Sequence, residues 1–461
     1  MKARLGRLIA LVAASAAMAL AMSAPAASAA ETCSNITGSG SSLQNVLQKE
    51  VWIPGFEAQS PHVPVACTAA PTVTYVSTSS GKGLNCWGAS TEKLEVTGAL
   101  KECGTEGVLD AYIDTDVAPE GPAQNSTKQL FKMAAAGKQK GAEPNQVVAV
   151  PVAQSAITVM VSLPAGCEPA QQGEKARWNY NDLEQAWYSG QTKLSQLKFA
   201  LGAGCQAVQT KEAILFARSS ASGTTAGFKR FLDQVKHSDW GSFVETAEKA
   251  ESTTWPSSNV QVANPKGKEE AEKVFNTPNS VGYADLADAR AAGFKLFPVR
   301  HEQGQQKYYS FFVEVQNKEG QAQKTKPTYA SPEIEEGGEQ LEGANCLEAK
   351  YENQSQLKVG QDQDWSKARQ VKELEGEAGG PYPICTLTFD VAWEHYGFFN
   401  EGAQPSYNTQ AGTANSVLDY LTYIVKLGQE ATKLDSLHYA KLPTEIRTAA
   451  EAGVKKTNIG L

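Results

Sequence analysis

The run Arg218-Ser-Ser-Ala-Ser222-Gly223-Thr224-Thr225 gathers the groups that bind a small oxyanion. Ser222, Gly223 and Thr224 offer hydroxyl donors and accessible backbone N–H groups, and Arg218 adds a planar, permanently charged fork. Two other Ser/Gly-rich runs repeat the theme: Gly38-Ser-Gly-Ser-Ser42 and Ser77-Thr-Ser-Ser80-Gly81-Lys-Gly83. One such turn is an ordinary helix cap. Three in one chain, each ahead of a stretch that can be helical, are placed to point donors at an anion. The segment Ala111-Tyr-Ile-Asp114-Thr-Asp116-Val117 supplies carboxylates. An ionised Asp can only accept, so beside a bound anion it is repulsive unless the ligand carries a proton. Phosphate near neutral pH keeps a proton and sulfate does not. A single Asp in a donor-rich site therefore selects phosphate or arsenate over sulfate.

The surrounding sequence predicts the elements that place these groups. Ala213-Ile-Leu-Phe-Ala217 reads as a buried strand ahead of the Arg218 turn, and Ala226-Gly-Phe-Lys-Arg-Phe-Leu232 as the helix after it. The helix dipole then adds positive potential at Ser222–Thr224. Val73–Val76 reads as a strand entering the Ser/Gly turn, and Leu43–Trp52 as a helix leaving the Gly38 turn. Further strands are expected at Ile157–Val161 and Tyr308–Val315, and helices at Ser416–Leu427 and Thr444–Val454. This alternation predicts an α/β fold.

With these motifs in this order, the chain resembles the extracytoplasmic phosphate-binding proteins of ABC transporters. Gly38-x-Gly40-x-Ser42 resembles that family's Gly-x-Gly-x-Thr turn. Tyr75, Ser79, Ser80, Gly81 and Gly83 resemble Tyr-x-x-x-Gly-Ser-Gly-x-Gly, with Ser79 in place of a glycine. Arg218, Ser222, Gly223 and Thr224 resemble Arg-x-Asp-x-Ser-Gly-Thr, with Ser220 where aspartate is usual. Val148–Pro164, Leu183–Gly190, Asn279–Tyr283 and Gly428-Gln429 followed by Tyr439–Pro443 agree as well. The resemblance covers roughly residues 34–85, 110–315 and 382–450. It implies a two-lobe fold with a ligand cleft between the lobes, no enzymatic activity and no cofactor. Inorganic phosphate and the permease subunits of an ABC importer are the implied partners of a monomer. Ser42, Ser80 and Asp116 would line the cleft from lobe one; Arg218, Ser222, Gly223 and Thr224 would do so from lobe two. Asp116 matches the family's acidic residue better than Asp114, because a hydroxyl residue precedes it. Residues 30–152 are expected in lobe one, 153–292 in lobe two, and 293–461 back in lobe one.

The N-terminus predicts an exported protein. Lys2, Arg4 and Arg7 precede an apolar core from Leu8 to Met22, and Ala27-Ser-Ala29 fits a cleavage site. No lipobox stands at the cleavage zone, since Cys33 follows Ala-Glu-Thr. Removing the leader takes the net charge from −8 to −11, a poor match for nucleic acid or anionic lipid. Local donors still act on an anion, because distant charge is screened over roughly 10 Å in ordinary salt. Eight cysteines in an exported chain predict disulfides. The lobe assignment leaves Cys167 and Cys205 alone in lobe two, so these two pair. Sequential pairing of the others gives Cys33–Cys67, Cys86–Cys103 and Cys346–Cys385. The stretch from about Asn317 to Gly380 is rich in Glu, Gln, Lys and Gly and loses apolar periodicity. It reads as a long surface insertion without a core, partly disordered.

Two other readings compete with phosphate capture. In one, the protein is a secreted phosphatase-like enzyme with Ser80 or Ser222 as nucleophile, although no base stands near either serine in the sequence. In the other, it is a surface sensor that has lost its ligand. No Gly-x-Ser-x-Gly elbow, His-Glu-x-x-His, P-loop or Gly-x-Gly-x-x-Gly is present, and the five histidines are scattered.

Overall fold

A computed structural model gives the architecture. It describes residues 33–59, 66–87, 110–117, 147–171, 173–206, 208, 210–303, 306–318, 328–336, 339–351, 365, 368–370, 381–394, 396, 410–455 and 459. The expected leader and Cys103, and with it the expected Cys86–Cys103 pair, lie outside them.

Eight strands form the main path of one sheet: β1 Ile36–Gly40, β2 Val73–Ser77, β3 Tyr112–Thr115, β4 Val147–Ser162, β5 Ile214–Arg218, β6 Gln261–Asn264, β7 Ser280–Asp285 and β8 Cys385–Trp393. Their order is β2-β1-β3-β8-β4-β7-β5-β6. β1 is parallel to β2 and β3, and β5 is parallel to β6 and β7. β8 runs antiparallel between β3 and β4 and ties the two parallel groups together with β4.

The 16-residue β4 explains the two lobes. Every residue in it is buried, as its run of Val, Ala and Ile requires for a strand covered on both faces. Its first half pairs with β8 from Val147 to Ala156, and its second half pairs with β7 from Ile157 to Ser162. Val148 through Ala153 pack into one hydrophobic core, and Ala156 through Val161 into a second. Pro151 sits in the middle of this strand and lacks an N–H. The β4–β8 register shifts at that point, between Thr388 and Phe389, which absorbs the missing ladder bond.

Three differences from the sequence reading follow from packing. Phe294, Leu296, Phe311 and Phe312 still belong to the second core, and the hairpin Val299–Gln303/Gln306–Phe312 pairs with the second half of β4. After Ala287, the next buried apolar residues of the first core are Ala349 and Trp365, ahead of β8. Tyr308–Val315 is interrupted at Val313, whose N–H turns to the carbonyl of Val159. The described parts of the 317–380 stretch are built into the body. Ala330 and Ala344 enter the second core, and Ala349 and Trp365 the first; Trp365 Nε1 also donates to the Ala149 carbonyl at 2.9 Å. Glu333 is fully buried, 3.1 Å from Arg290 Nε. Single apolar residues in a Glu-rich context leave no periodic trace, so this anchoring was not legible from the sequence.

Disulfides join Cys33–Cys67, Cys167–Cys205 and Cys346–Cys385, three of the four expected pairs. Among the described residues no helix is long and apolar enough to cross a membrane.

Candidate ligand-binding site

The site grows from the carboxyl ends of parallel strands, the edge where α/β sheets bind ligands. β1 ends at Gly40, with φ +135°. A Cβ there would lie 2.1 Å from the Asp114 carbonyl oxygen, so only glycine lets this turn lie against β3. The next residue, Ser41, is thereby carried to the end of β3. Its Oγ donates to Asp116 and lies 2.6 Å from both carboxylate oxygens. β2 leads into the helix Ser80–Cys86 through Ser79, which caps it by accepting from the Lys82 N–H. Ser79 has φ +155°, which suits the glycine that the resembled motif carries there. Ser80 Oγ donates to Asp116 Oδ2 at 3.0 Å and accepts from the Asp116 N–H at 3.2 Å. From β8, Thr388 Oγ1 donates to Asp116 Oδ1 at 2.8 Å.

Asp116 is thus a buried carboxyl facing three hydroxyl donors. Burial pushes it up to about 6, and the hydroxyls of Ser41, Thr388 and Ser80 pull it back down by stabilising the anion. Asp114 faces the interior of lobe one instead. It accepts from Gln48 Nε2 at 3.0 Å and lies opposite Asp390 across the β3–β8 ladder. Burial and the neighbouring Asp390 raise it well above the usual carboxylate range.

Lobe two contributes the end of β5 and the 13-residue helix Gly223–Val235. Ser222 caps this helix, its Oγ accepting from the Thr225 N–H at 3.4 Å. Thr224 is buried in the first turn, where helix N–H groups lack intrahelical partners. Arg218 is buried at the end of β5. Its Nε and Nη2 both donate to the Pro265 carbonyl, and Nη2 also reaches Ser220 Oγ at 3.4 Å. Ser220 donates to the same carbonyl at 2.6 Å, so it orients the fork without opposing its charge. Arg218 Nη1 is buried with no hydrogen-bond partner in the protein. Glu270, Asp285 and Asp288 surround the guanidinium. Burial raises Glu270 to about 7, burial and the neighbouring Asp288 raise Asp285, and burial raises Asp288.

The two halves meet at the motif turns. A Cβ on Gly223 would lie 2.2 Å from Asp116 Cβ, and one on Gly81 would lie 2.4 Å from Ala221 Cβ. These glycines let the lobes close. Gly223→Ala is expected to hold them apart and to weaken ligand affinity at least about tenfold, or about 1.4 kcal/mol. Titration of the folded variant checks this, and an unchanged affinity would mean that closure does not require this contact.

The chain aligns with a Stenotrophomonas maltophilia phosphate-binding protein at TM-score 0.52 and 17% identity, covering 92% of this chain and 95% of that one. It aligns with the ancestral soluble variant of the human phosphate-binding protein at 0.52 and 16%, covering 92% and 98%. A high-affinity periplasmic phosphate-binding protein (PfluDING), solved with phosphate bound, gives 0.51 and 13%, covering 92% and 97%. The fold is that of the two-lobe periplasmic phosphate-binding proteins. No protein-family model and no curated protein sequence matches the chain.

Within this fold the expected residues are distributed unevenly. Asp116, Ser80 and Gly223 come together, and Ser222 and Thr224 form the facing helix start. Ser42 is half-buried, and its carbonyl accepts from the Asn45 N–H at 3.3 Å; Ser41, one residue earlier, is the hydroxyl that reaches Asp116. Thr388 was missed, though a signal existed. Thr386, Thr388 and Asp390 alternate with apolar residues at the strand period, which puts them on one face of β8. The expectation of no base near Ser80 also needs correction, because Asp116 lies 3.0 Å from it. Among the described residues no cluster of His, Cys, Asp or Glu could hold a metal.

Proposed function

We propose that this protein captures inorganic phosphate between its lobes and delivers it to an ABC importer, acting outside the cytoplasm as a monomer without catalytic activity. The observation that carries this reading is Asp116, an acceptor ringed by the hydroxyls of Ser41, Ser80 and Thr388 and faced by the helix start at Gly223. Donors surrounding one acceptor suit an anion that still has a proton to give. The unpartnered Nη1 of Arg218 supplies the opposite charge. The motif resemblance, the fold shared with proteins described as phosphate-binding, and the disulfides support the same reading. Because Gly223 and Gly81 close on the opposite lobe, the ligand enters by a hinge opening between the lobes.

The test is a thermal-shift series with phosphate, arsenate, sulfate and molybdate at pH 7.5. Phosphate and arsenate are expected to raise the melting temperature and equimolar sulfate hardly at all, because a ligand bound only by the folded state stabilises it by mass action. Equal shifts for phosphate and sulfate would replace this reading with a general oxyanion binder.

A further inference from the structure

Asp116 stands at the end of a chain of hydrogen bonds whose direction is fixed at its far end. The hydroxyls of Tyr112 and Tyr420 donate to Gln48 Oε1, at 3.2 and 2.5 Å. With its oxygen so engaged, the Gln48 amide turns its nitrogen the other way. Gln48 Nε2 donates to Gln44 Oε1 at 3.2 Å and to Asp114 Oδ2 at 3.0 Å. Gln44 is oriented in turn, and its Nε2 donates to the Phe389 carbonyl at 3.1 Å and to Thr388 Oγ1 at 2.6 Å. A hydroxyl has one hydrogen. Thr388 Oγ1 accepts from Gln44, and of the two acceptors its own hydrogen can reach, the charged Asp116 Oδ1 at 2.8 Å is closer than the Thr115 carbonyl at 3.4 Å. The backbone N–H of Gln44 does the same to Ser41, donating to its Oγ at 3.3 Å and leaving the serine hydrogen for the carboxylate. Gln44, Gln48, Ser41 and Thr388 are all fully buried, so no water competes for these bonds.

We propose that Gln44 and Gln48 are positioning residues of the anion site: by fixing the hydrogen of Thr388 on Asp116, their side chains hold that carboxylate as a pure acceptor that discriminates protonated from fully ionised oxyanions. The proposal deepens the phosphate-binding reading and rests on it. Neither glutamine approaches the ligand position through Asp116 itself. Their effect passes through the Thr388 hydroxyl, and the tyrosine pair sets its direction. The motifs that mark the site do not include either glutamine. They lie on the stretch that runs from the first turn into the π-helical segment Leu47–Trp52.

The experiment compares wild type with Gln44→Met, Gln44→Glu, Thr388→Val and Thr388→Ser. Two quantities are read: the ratio of phosphate to sulfate affinity by calorimetry, and the titration midpoint of the Asp116 carboxyl by carbon NMR without ligand. The groups facing Asp116 are Asp285, Asp288 and Glu251 from lobe two and Asp114, Tyr75 and Tyr439 from lobe one. They are the same in every variant. Gln44→Met is expected to lower the affinity ratio about tenfold, in line with a hydrogen bond to a charged group. It is also expected to move the Asp116 midpoint upward, because a carboxylate that loses a directed donor is a weaker acid. Gln44→Glu, which when ionised cannot donate to Thr388 and adds a like charge, should do the same. Thr388→Val should follow them, and Thr388→Ser should rescue most of what Thr388→Val loses. A folded Gln44→Met protein with unchanged ratio and unchanged midpoint overturns the proposal. If Gln44→Met does not fold, the Thr388→Val and Thr388→Ser pair carries the test, and equal midpoints in the two overturn it. If wild type binds no phosphate, the functional reading fails, while the carboxyl midpoints still decide whether the glutamines position Asp116.

Discussion

Replacing Arg218 by alanine is expected to weaken phosphate binding by about 2–5 kcal/mol, or about 30-fold to about 5,000-fold, the cost of truncating one partner of a buried hydrogen-bonded charge pair. Arg218 is buried, two of its three nitrogens are anchored on the Pro265 carbonyl and Ser220, and Nη1 is the one without a protein partner. The fork is therefore held in place and has one edge left for an anion. Arg218→Lys should recover little of the loss. A single ammonium cannot bond Pro265 as the fork does and still reach the ligand. Titration of both variants with phosphate checks this. A loss of less than a few-fold in Arg218→Ala would remove the arginine from the site.

Asp116→Asn is expected to change selectivity more than affinity. The substitution keeps the shape, removes the charge and places an amide donor where a pure acceptor stood. Phosphate still meets the hydroxyls and the helix start, whereas sulfate no longer meets a carboxylate. The phosphate-to-sulfate ratio should fall by at least about tenfold, and specificity is a difference of two such affinities. Wild type should show the same trend with acid. Burial holds Asp116 up at about 6, so it is ionised above that pH and progressively neutral below it. Sulfate should therefore be admitted by wild type as pH falls through 6, and Asp116→Asn should admit it at every pH. Competition of sulfate against labelled phosphate between pH 5 and 8 measures both. A wild-type ratio that stays flat across this range, together with an unchanged ratio in Asp116→Asn, would place selectivity elsewhere.

Much of the architecture is legible in the chain, because strand and turn chemistry are local. The run Ala213–Ala217 followed by Ser222-Gly223-Thr224 predicts a strand, a cap and a helix, and those elements are present, the strand one residue later at Ile214–Arg218. Gly38 and Gly40 mark a close approach of β1 to β3: a Cβ on Gly38 would lie 2.1 Å from the Tyr112 ring. The groups that act on Asp116 from afar were not legible in the same way. Thr388 lies 272 residues away in sequence, and only the β3–β8 pairing brings it to the site. Ser41 rather than Ser42 reaches the carboxylate because Gly40 turns with φ +135°, a detail that Gly-x-Gly-x-Ser spacing does not determine. The 317–380 stretch was misread for a related reason. Trp365 is buried against Ala149, 216 residues away in sequence, not by a periodic pattern of its own stretch.

The central claim is that the cleft around Asp116 and Arg218 binds phosphate. Calorimetric titration of the purified protein with phosphate at pH 7.5, in a sulfate-containing buffer, tests it most directly. One phosphate bound per chain, with affinity little altered by the sulfate and lost in Arg218→Ala, is the predicted result. Absence of binding heat in wild type, or heat that survives unchanged in Arg218→Ala, would contradict it.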